Sequence, residues 1–462
     1  MLRLYTATPQ PFYNLGVTKI FLTKRTVMLS VETARPESGS SILEPDGVTQ
    51  SRSEFQEIES LELDCDVAIV GGGIIGATLA CALSESGLQV ILIESQVGSI
   101  AAAKGQAYAF SILSSRIFQG LGLWDDVAPR ISACTEIRLS DADYPETVQF
   151  TPADLGTETL VYVAEHAVLL EVLQHRLRQS AQVRYLCPAQ VQAVHYGDEG
   201  AVVQAVQGGS PIVLRSRLVV AADGSRSQTR AAAGIKTHGW PYWQSCIVCC
   251  VQPERPATHI AHERFQPSGP FAILPLPDGV CRIVWTAPHA DAHALCALPD
   301  EQFLTELTHR FGDHMGRLSL VGGRYVFPVQ LMQSDRYIGQ RLALVGDAAH
   351  GCHPVGGQGL NMGIRDAAAL AQVLQEAHQQ GQDIGTVSVL RQYERWRRWE
   401  NLWILAFTDF LDRCFSSQWP PVIGLRRRGL WLLNHVQPVR RLALRLMTGL
   451  MGRSPRLAQP DR

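Results

Sequence analysis

Asp66-Val-Ala-Ile-Val70-Gly71-Gly72-Gly73-Ile-Ile-Gly76 is the stretch on which the fold turns. Asp66–Val70 is a continuous apolar run, as expected of a parallel strand buried on both faces. Gly71 permits a tight turn, Gly73 lets the backbone approach a pyrophosphate, and Gly76 lets the following helix pack closely on its strand. A helix N-terminus then offers free N–H groups and a partial positive charge to phosphate. The pattern predicts that helix over Ala77–Glu85, ended by Gly87 as C-cap. A second strand, Val90-Ile-Leu-Ile-Glu94, finishes in a carboxylate 18 residues past Gly76. That is close to the roughly 20 expected of an acid that receives ribose hydroxyls. A glycine-rich turn in some other α/β fold would leave Glu94 unexplained.

Two further strand ends repeat the theme. Leu218-Val-Val-Ala-Ala222 runs into Asp223-Gly224, and Leu342-Ala-Leu-Val345 runs into Gly346-Asp347. After the latter, His353-Pro354-Val-Gly356-Gly357-Gln358-Gly359-Leu360-Asn361 opens a helical pattern that continues through Leu374. Three strands thus bring glycine and carboxylate to one expected sheet edge, where ligands of α/β proteins bind. A Gly-Asp strand end beside a glycine-rich helix start suits a flavin better than a nicotinamide.

The chain's 462 residues exceed a single core, so two interlocked domains are expected. A net charge of -2 argues against a nucleic-acid partner. It hides an asymmetry: residues 391–462 hold 14 Arg against 5 Asp plus Glu, a local +9. The 11 cysteines are scattered through apolar stretches and read as small core residues. Cys246 and Cys249 form a CxxC, but no second pair stands at zinc spacing, so no metal is expected. Residues 67–84 carry no charge, yet the glycines in their middle mark a strand–turn–helix, not a membrane span. Met1–Val31 has four basic residues and no acid, which fits a leader, a disordered extension or a start at Met28.

These motifs resemble those of the group A flavoprotein aromatic hydroxylases, with spacing most similar to the ubiquinone-biosynthesis hydroxylase branch. The resemblance rests on Gly71–Gly76, on Asp223-Gly224 with Ser227 and Arg230, and on Gly346-Asp347 through Pro354 and Asn361. Leu121-Gly-Leu-Trp124, Phe265–Pro270, Leu274-Pro275 and Phe327-Pro328 extend it. It implies an α/β fold like that of para-hydroxybenzoate hydroxylase. A Rossmann-like FAD-binding domain with a parallel sheet would be interleaved with an antiparallel-sheet substrate domain and followed by C-terminal helices. The expected divisions are 1–62 as leader and linker, FAD-binding parts at 63–135, 166–240 and 331–385, substrate-sheet parts at 136–165 and 241–330, and a helical region at 386–462.

The resemblance further implies FAD as cofactor, NAD(P)H as transient electron donor, and O2 with an aromatic, prenylated phenol as substrates. Glu94 would hold the adenosine ribose and Asp347 the ribityl chain, and Asp223-Gly224 would sit near the pyrophosphate and the nicotinamide approach. The helix start at Gly359-Leu360-Asn361 would face the flavin pyrimidine edge. The family's Asp-x-Arg stretch reads Gly105-Gln106-Ala107-Tyr108-Ala109 here, with Lys104 the nearest cation. His350 and His353 are candidates to help deprotonate a phenol, the alternative being that they bond backbone and shape the loop. Pro354 would shape the oxygen site. An FAD reductase or oxidase on the same scaffold, or a non-catalytic flavin-binding component of a quinone-biosynthesis complex, stay open as alternatives. Arginine and large apolar residues intermix at Trp396–Trp403, Leu425–Leu433 and Val439–Met447. That fits helices on an anionic membrane surface, or ordinary packing with a solvated basic face. The expected location is cytoplasmic, peripheral on the membrane.

Overall fold

The computed structural model describes residues 64–98, 105–141, 144–256 and 258–459. They belong to the compact unit Ser60–Arg462. The expected leader and linker, and Lys104, lie outside them.

Strand Cys65–Val70 is the axis of the first sheet, with Val67, Ala68 and Ile69 wholly buried. It pairs in parallel with Val90–Ile93 on one side and Ser210–Ala221 on the other. Leu342–Leu344 extends the parallel sheet beyond Ser210–Ala221, and Val183–Leu186 beyond Val90–Ile93. The three glycine-and-carboxylate strand ends therefore stand side by side at one sheet edge. The helix after the glycines spans Ile74–Leu83, starting and ending earlier than the sequence pattern predicts. Gly73 is its N-cap, so the turn feeds the helix directly. Gly87 lies beyond the cap in the loop, at φ +84°.

The second sheet runs in the order His350–Gly351, Leu318–Ser334, Thr237–Pro253, Cys281–Pro288, Phe271–Pro275, Ile260–Phe265, Glu136–Asp141, Thr147–Phe150. It is antiparallel except where Ile260–Phe265 meets Glu136–Asp141. Alternation divides its residues cleanly. Ile247, Cys249, Phe271, Ile283 and Trp285 form a core with Phe303, Leu307 and Phe311 of helix Asp300–Phe311. Cys246, Val248, Ala272, Leu274, Arg282 and Val284 point the other way and line a cavity.

Helix Gln358–Gln379 packs against Ile74–Leu83 and the 30-residue helix Val387–Ser416 packs against it in turn. Asp366, wholly buried, fastens them to the sheet edge. Its Oδ2 accepts from the Gly346 amide at 3.2 Å and lies 2.6 Å from His350 Nε2. Its Oδ1 accepts from Arg397 Nε at 2.8 Å and Asn401 Nδ2 at 3.0 Å. Burial alone would raise the Asp366 pKa, but the fields and hydrogen bonds of His350 and Arg397 hold it well below the ordinary carboxylate range.

Helices Pro420–His435 and Gln437–Met447 complete the chain. The basic excess divides in two. Arg397 and Arg426 are buried in ion pairs with Asp366 and Asp141, whereas Arg395, Arg428, Arg441 and Arg445 are exposed. The tryptophans of this stretch divide too, Trp396 being buried and Trp399 and Trp403 exposed. Arg453 covers Trp396 at 4.1 Å. Among the described residues no helix is long and apolar enough to cross a membrane.

Replacing Asp366 with Ala would leave Arg397 buried without its fully buried carboxylate partner, with only the partly exposed Glu400 remaining. Urea unfolding should show a loss of about 3–5 kcal/mol, the usual cost of breaking a buried pair by removing one partner.

Candidate functional site

Gly71 takes φ +107°, and a side chain there would collide with the Ala222 carbonyl. One on Gly76 would collide with the Gly71 carbonyl, so the helix lies on its strand at glycine distance. At Gly73 a Cβ would meet nothing within 4 Å, which leaves open space above the turn. Glu94 stands just past its strand, with Oε2 accepting from the Gly72 amide at 2.8 Å and Oε1 from Gln96 at 2.9 Å. The carboxylate thereby braces the turn, and its remaining lone pairs are available to a ribose.

The other two strand ends are stitched together. Asp223 Oδ2 accepts from the Thr229 amide at 3.1 Å, while its buried Oδ1 has no partner among the described residues. Arg230 reaches from the helix that Ser227 caps to the Ala348 carbonyl at 2.8 Å, joining the Asp223-Gly224 segment to Gly346–Ala348.

A cavity of about 570 Å³ opens over these segments. Its floor holds Gly73, Ala222, Gly224, Asp347 and the helix start Gln358–Asn361. Asp347 turns toward it and is exposed to its open space; the surrounding protein displaces enough water to push its carboxyl pKa up, with His350 acting in the opposite sense. The first four amides of that helix have no acceptor within the helix, so its positive end meets the cavity. The Asn361 side chain is already committed. Its Oδ1 accepts from the Ser111 amide at 2.9 Å and Ser114 Oγ at 2.7 Å, and its Nδ2 donates to the Ala109 and Gly357 carbonyls at 2.8 Å each. Only its main chain remains for a ligand.

The roof is the second sheet, mainly apolar, with Arg282, Glu263, His262 and Gln330 as its polar members. Burial raises the Glu263 pKa from 4.5 to about 8. The side wall brings in Gln106, Tyr108 and His166. Tyr108 Oη donates to Gln106 Oε1 at 3.0 Å and stands 2.9 Å from His166 Nδ1. Burial lowers the His166 pKa to about 4, so the ring is neutral at physiological pH and joins this chain as donor with its proton on Nδ1. The end wall is Leu444, Met447 and Thr448, at the close of helix Gln437–Met447.

Of the residues singled out from sequence, Gly73, Gly224, Asp347, Pro354, Gly359, Leu360 and Asn361 line the cavity. Gly71, Gly76, Glu94, Asp223 and Gly346 build the turns behind it. The two histidines stand outside its lining. His350 is engaged by Asp366. His353, also fully buried, is 3.1 Å from Gln244 Oε1 and 3.4 Å from Asp412 Oδ1, while its Nδ1 accepts from the Val355 amide at 3.2 Å. Burial lowers the His353 pKa to about 4. Both positions favour the loop-shaping alternative. Arg282, Glu263, Tyr108 and His166 are site residues that the sequence reading did not single out.

The residues present fit FAD: open space above Gly73, an orphan Asp223 oxygen, Asp347 in the cavity, and a helix end suited to an electron-rich ring. Among the described residues no cluster of three His, Cys, Asp or Glu could hold a metal.

The family model described as "FAD binding domain" matches residues 64–400. The chain is 51% identical to the uncharacterized protein slr1300 of Synechocystis, over 85% of this chain and 95% of that one. It is 39% identical to the ubiquinone hydroxylase UbiL of Rhodospirillum rubrum, over 84% and 91%. It is 34% identical to the 3-demethoxyubiquinol 3-hydroxylase of Escherichia coli, over 83% and 98%. Among solved structures, p-nitrophenol 4-monooxygenase PnpA of Pseudomonas putida has the same fold, with a TM-score of 0.72 at 21% identity over 84% of this chain and 98% of that one.

Glu263 gives the site a pH signature. From its ordinary 4.5 up to about 8, the unfolded chain releases a proton that the folded chain keeps. The contribution is therefore full below the lower value and lost as pH rises through the upper. Thermal unfolding of Glu263→Gln and wild type should show the variant gaining on wild type from about pH 4 to about pH 8.

Proposed function

Because the chain belongs to the FAD-binding domain family, and within it to the FAD-dependent aromatic monooxygenases of the ubiquinone-biosynthesis hydroxylase branch, we propose that it hydroxylates the ring of a prenylated phenol or quinone precursor with NAD(P)H and O2. One observation carries this reading. A single cavity has a floor of glycines, a carboxylate and helix amides, and a roof of mainly apolar sheet side chains. A nucleotide-bound ring on the floor and an aromatic ring under the roof would then share one space.

Bound FAD supplies the electrons and the activated oxygen. The chain's own residues do the rest. Glu94 receives ribose hydroxyls, the Gly71–Gly76 turn and Asp223-Gly224 flank the pyrophosphate, and Asp347 holds the ribityl chain. The amides at Gly359, Leu360 and Asn361 stabilise negative charge on the ring edge. The apolar roof excludes water from the reacting ring. Pro354 shapes the wall beside it. Gln106 stands where the family's stretch has Arg, and its carbonyl oxygen accepts a hydrogen bond from the Tyr108 hydroxyl.

A membrane surface is the further proposed partner. Trp399, Trp403, Phe410, Trp419, Leu425 and Leu442 are all exposed on the C-terminal helices, close in sequence to the exposed arginines. Aromatic and apolar side chains with basic neighbours suit an anionic interface, and the last of these helices, Gln437–Met447, supplies the end wall of the cavity. A lipid-soluble substrate would thus meet the protein on the side of that wall. Membership in a quinone-biosynthesis complex would use the same face.

Turnover of a prenylphenol under labelled O2 should place label on the ring. Reduced product without label would show a reductase, and no product despite bound FAD would show a non-catalytic component. In flotation, the full chain should rise with vesicles containing anionic lipid and remain below with neutral ones. Equal recovery from both would remove the membrane partner.

A further inference from the structure

Arg282 and Glu263 are the two acid–base groups on strands of the cavity roof that meet no opposite charge among the described residues, and Arg282 is the cation of the two. On strand Cys281–Pro288, Ile283 and Trp285 turn to the helices and Arg282 and Val284 to the cavity. Across the sheet, Arg282 is flanked by Cys250 and Leu274. It is only 2% exposed.

Three other deeply buried arginines each meet a carboxylate. Arg397 meets Asp366, Arg426 meets Asp141 and Arg341 meets Asp383. Arg365 donates to the Asn361 carbonyl and, like Arg282, keeps one guanidinium nitrogen without a partner. Arg282 has one polar contact, Nη1 to Cys250 Sγ at 3.4 Å, and sulfur is a weak acceptor. Its Nε has no partner. A buried guanidinium left in this condition is costly unless a ligand completes it.

Its placement limits what that ligand can be. A Cβ on Gly105 would stand 3.8 Å from Nη1, so the guanidinium reaches the side wall at the stretch where Gln106 replaces a cation. Tyr108 and Cys246 both lie in its field. The group therefore spans from roof to wall on the substrate side, in a cavity otherwise poor in charge. A planar donor fork in dry surroundings suits an oxyanion conjugated to a flat ring.

We propose that Arg282 binds the ring oxygen of the aromatic substrate as a phenolate, selecting the ionised form and so enriching the ring in electrons for attack. This rests on the aromatic-hydroxylase reading above. Proton release precedes oxygen transfer: the O–H bond breaks, the electron pair stays on the ring oxygen, and the proton passes to solvent as the substrate binds.

The test needs no turnover. 4-Nitrophenol, whose acid and anion absorb at different wavelengths, is titrated into oxidised FAD-loaded protein from about pH 5 to about pH 9. Bound to wild type, its ionisation midpoint should fall by about one pH unit or more, as expected beside an opposite charge. Bound to Arg282→Gln it should return to the free value or rise above it, and Arg282→Lys should restore part of the fall. A midpoint equal in wild type and Arg282→Gln overturns the assignment. So does a variant that shifts the flavin's midpoint potential and leaves the phenol unmoved, since the cation would then serve the flavin. Wild type alone supplies a second reading, independent of how the variants fold. Above the bound midpoint it should prefer 4-nitrophenol to 4-nitroanisole, which cannot ionise, by about tenfold; equal affinity overturns the assignment. Failure of FAD-loaded wild type to bind either compound overturns the hydroxylase reading together with this one.

Discussion

The Asp366 carboxylate is the constraint on which the rest of the site depends. It is a charge in a dry interior, tolerable because four donors converge on its two oxygens. Those donors come from the Gly346 turn, from His350 and from the long helix Val387–Ser416. One side chain therefore sets the height of the sheet edge against two helices. Tyr393 reinforces it by donating to the Leu344 carbonyl at 2.7 Å. Asp347 follows Gly346 directly, so its reach into the cavity is inherited from this buried pairing.

A division of labour follows. The floor is built mainly from backbone: glycine turns, helix amides and carboxylates that brace their own loops. The roof is built from side chains on a sheet whose opposite face is an ordinary core. Changes on the roof can alter the substrate without moving the floor, because alternation keeps the two faces independent.

The floor was legible in the sequence because its signals are local. Gly71–Gly76, Glu94, Asp223-Gly224 and Gly346-Asp347 each announce a turn within a few residues, and the apolar strands before them show how they align. The roof was not legible to the same depth. Cys281–Trp285 reads plainly as a strand, but whether Arg282 or Ile283 faces the cavity depends on partners at Cys250 and Leu274, distant in the chain. His350 and His353 show the converse. From sequence they are candidates to help deprotonate a phenol, while the groups that occupy them, Asp366, Gln244 and Asp412, sit on other elements. Arg426 likewise looked like part of a basic surface until Asp141 met it across the fold.

Helix Gln437–Met447 lends the cavity its end wall from the last tenth of the chain. The wall is held at its far side too: Arg453 lies over Trp396, and the Arg456 amide donates to Gln372 at 3.0 Å. Neither anchor touches the glycine turns. Insertions or exchanges in this hairpin would recut the depth of the chamber and leave the nucleotide's berth as it is. Related chains could in this way come to accept longer or shorter molecules while keeping one inherited machine for handling oxygen.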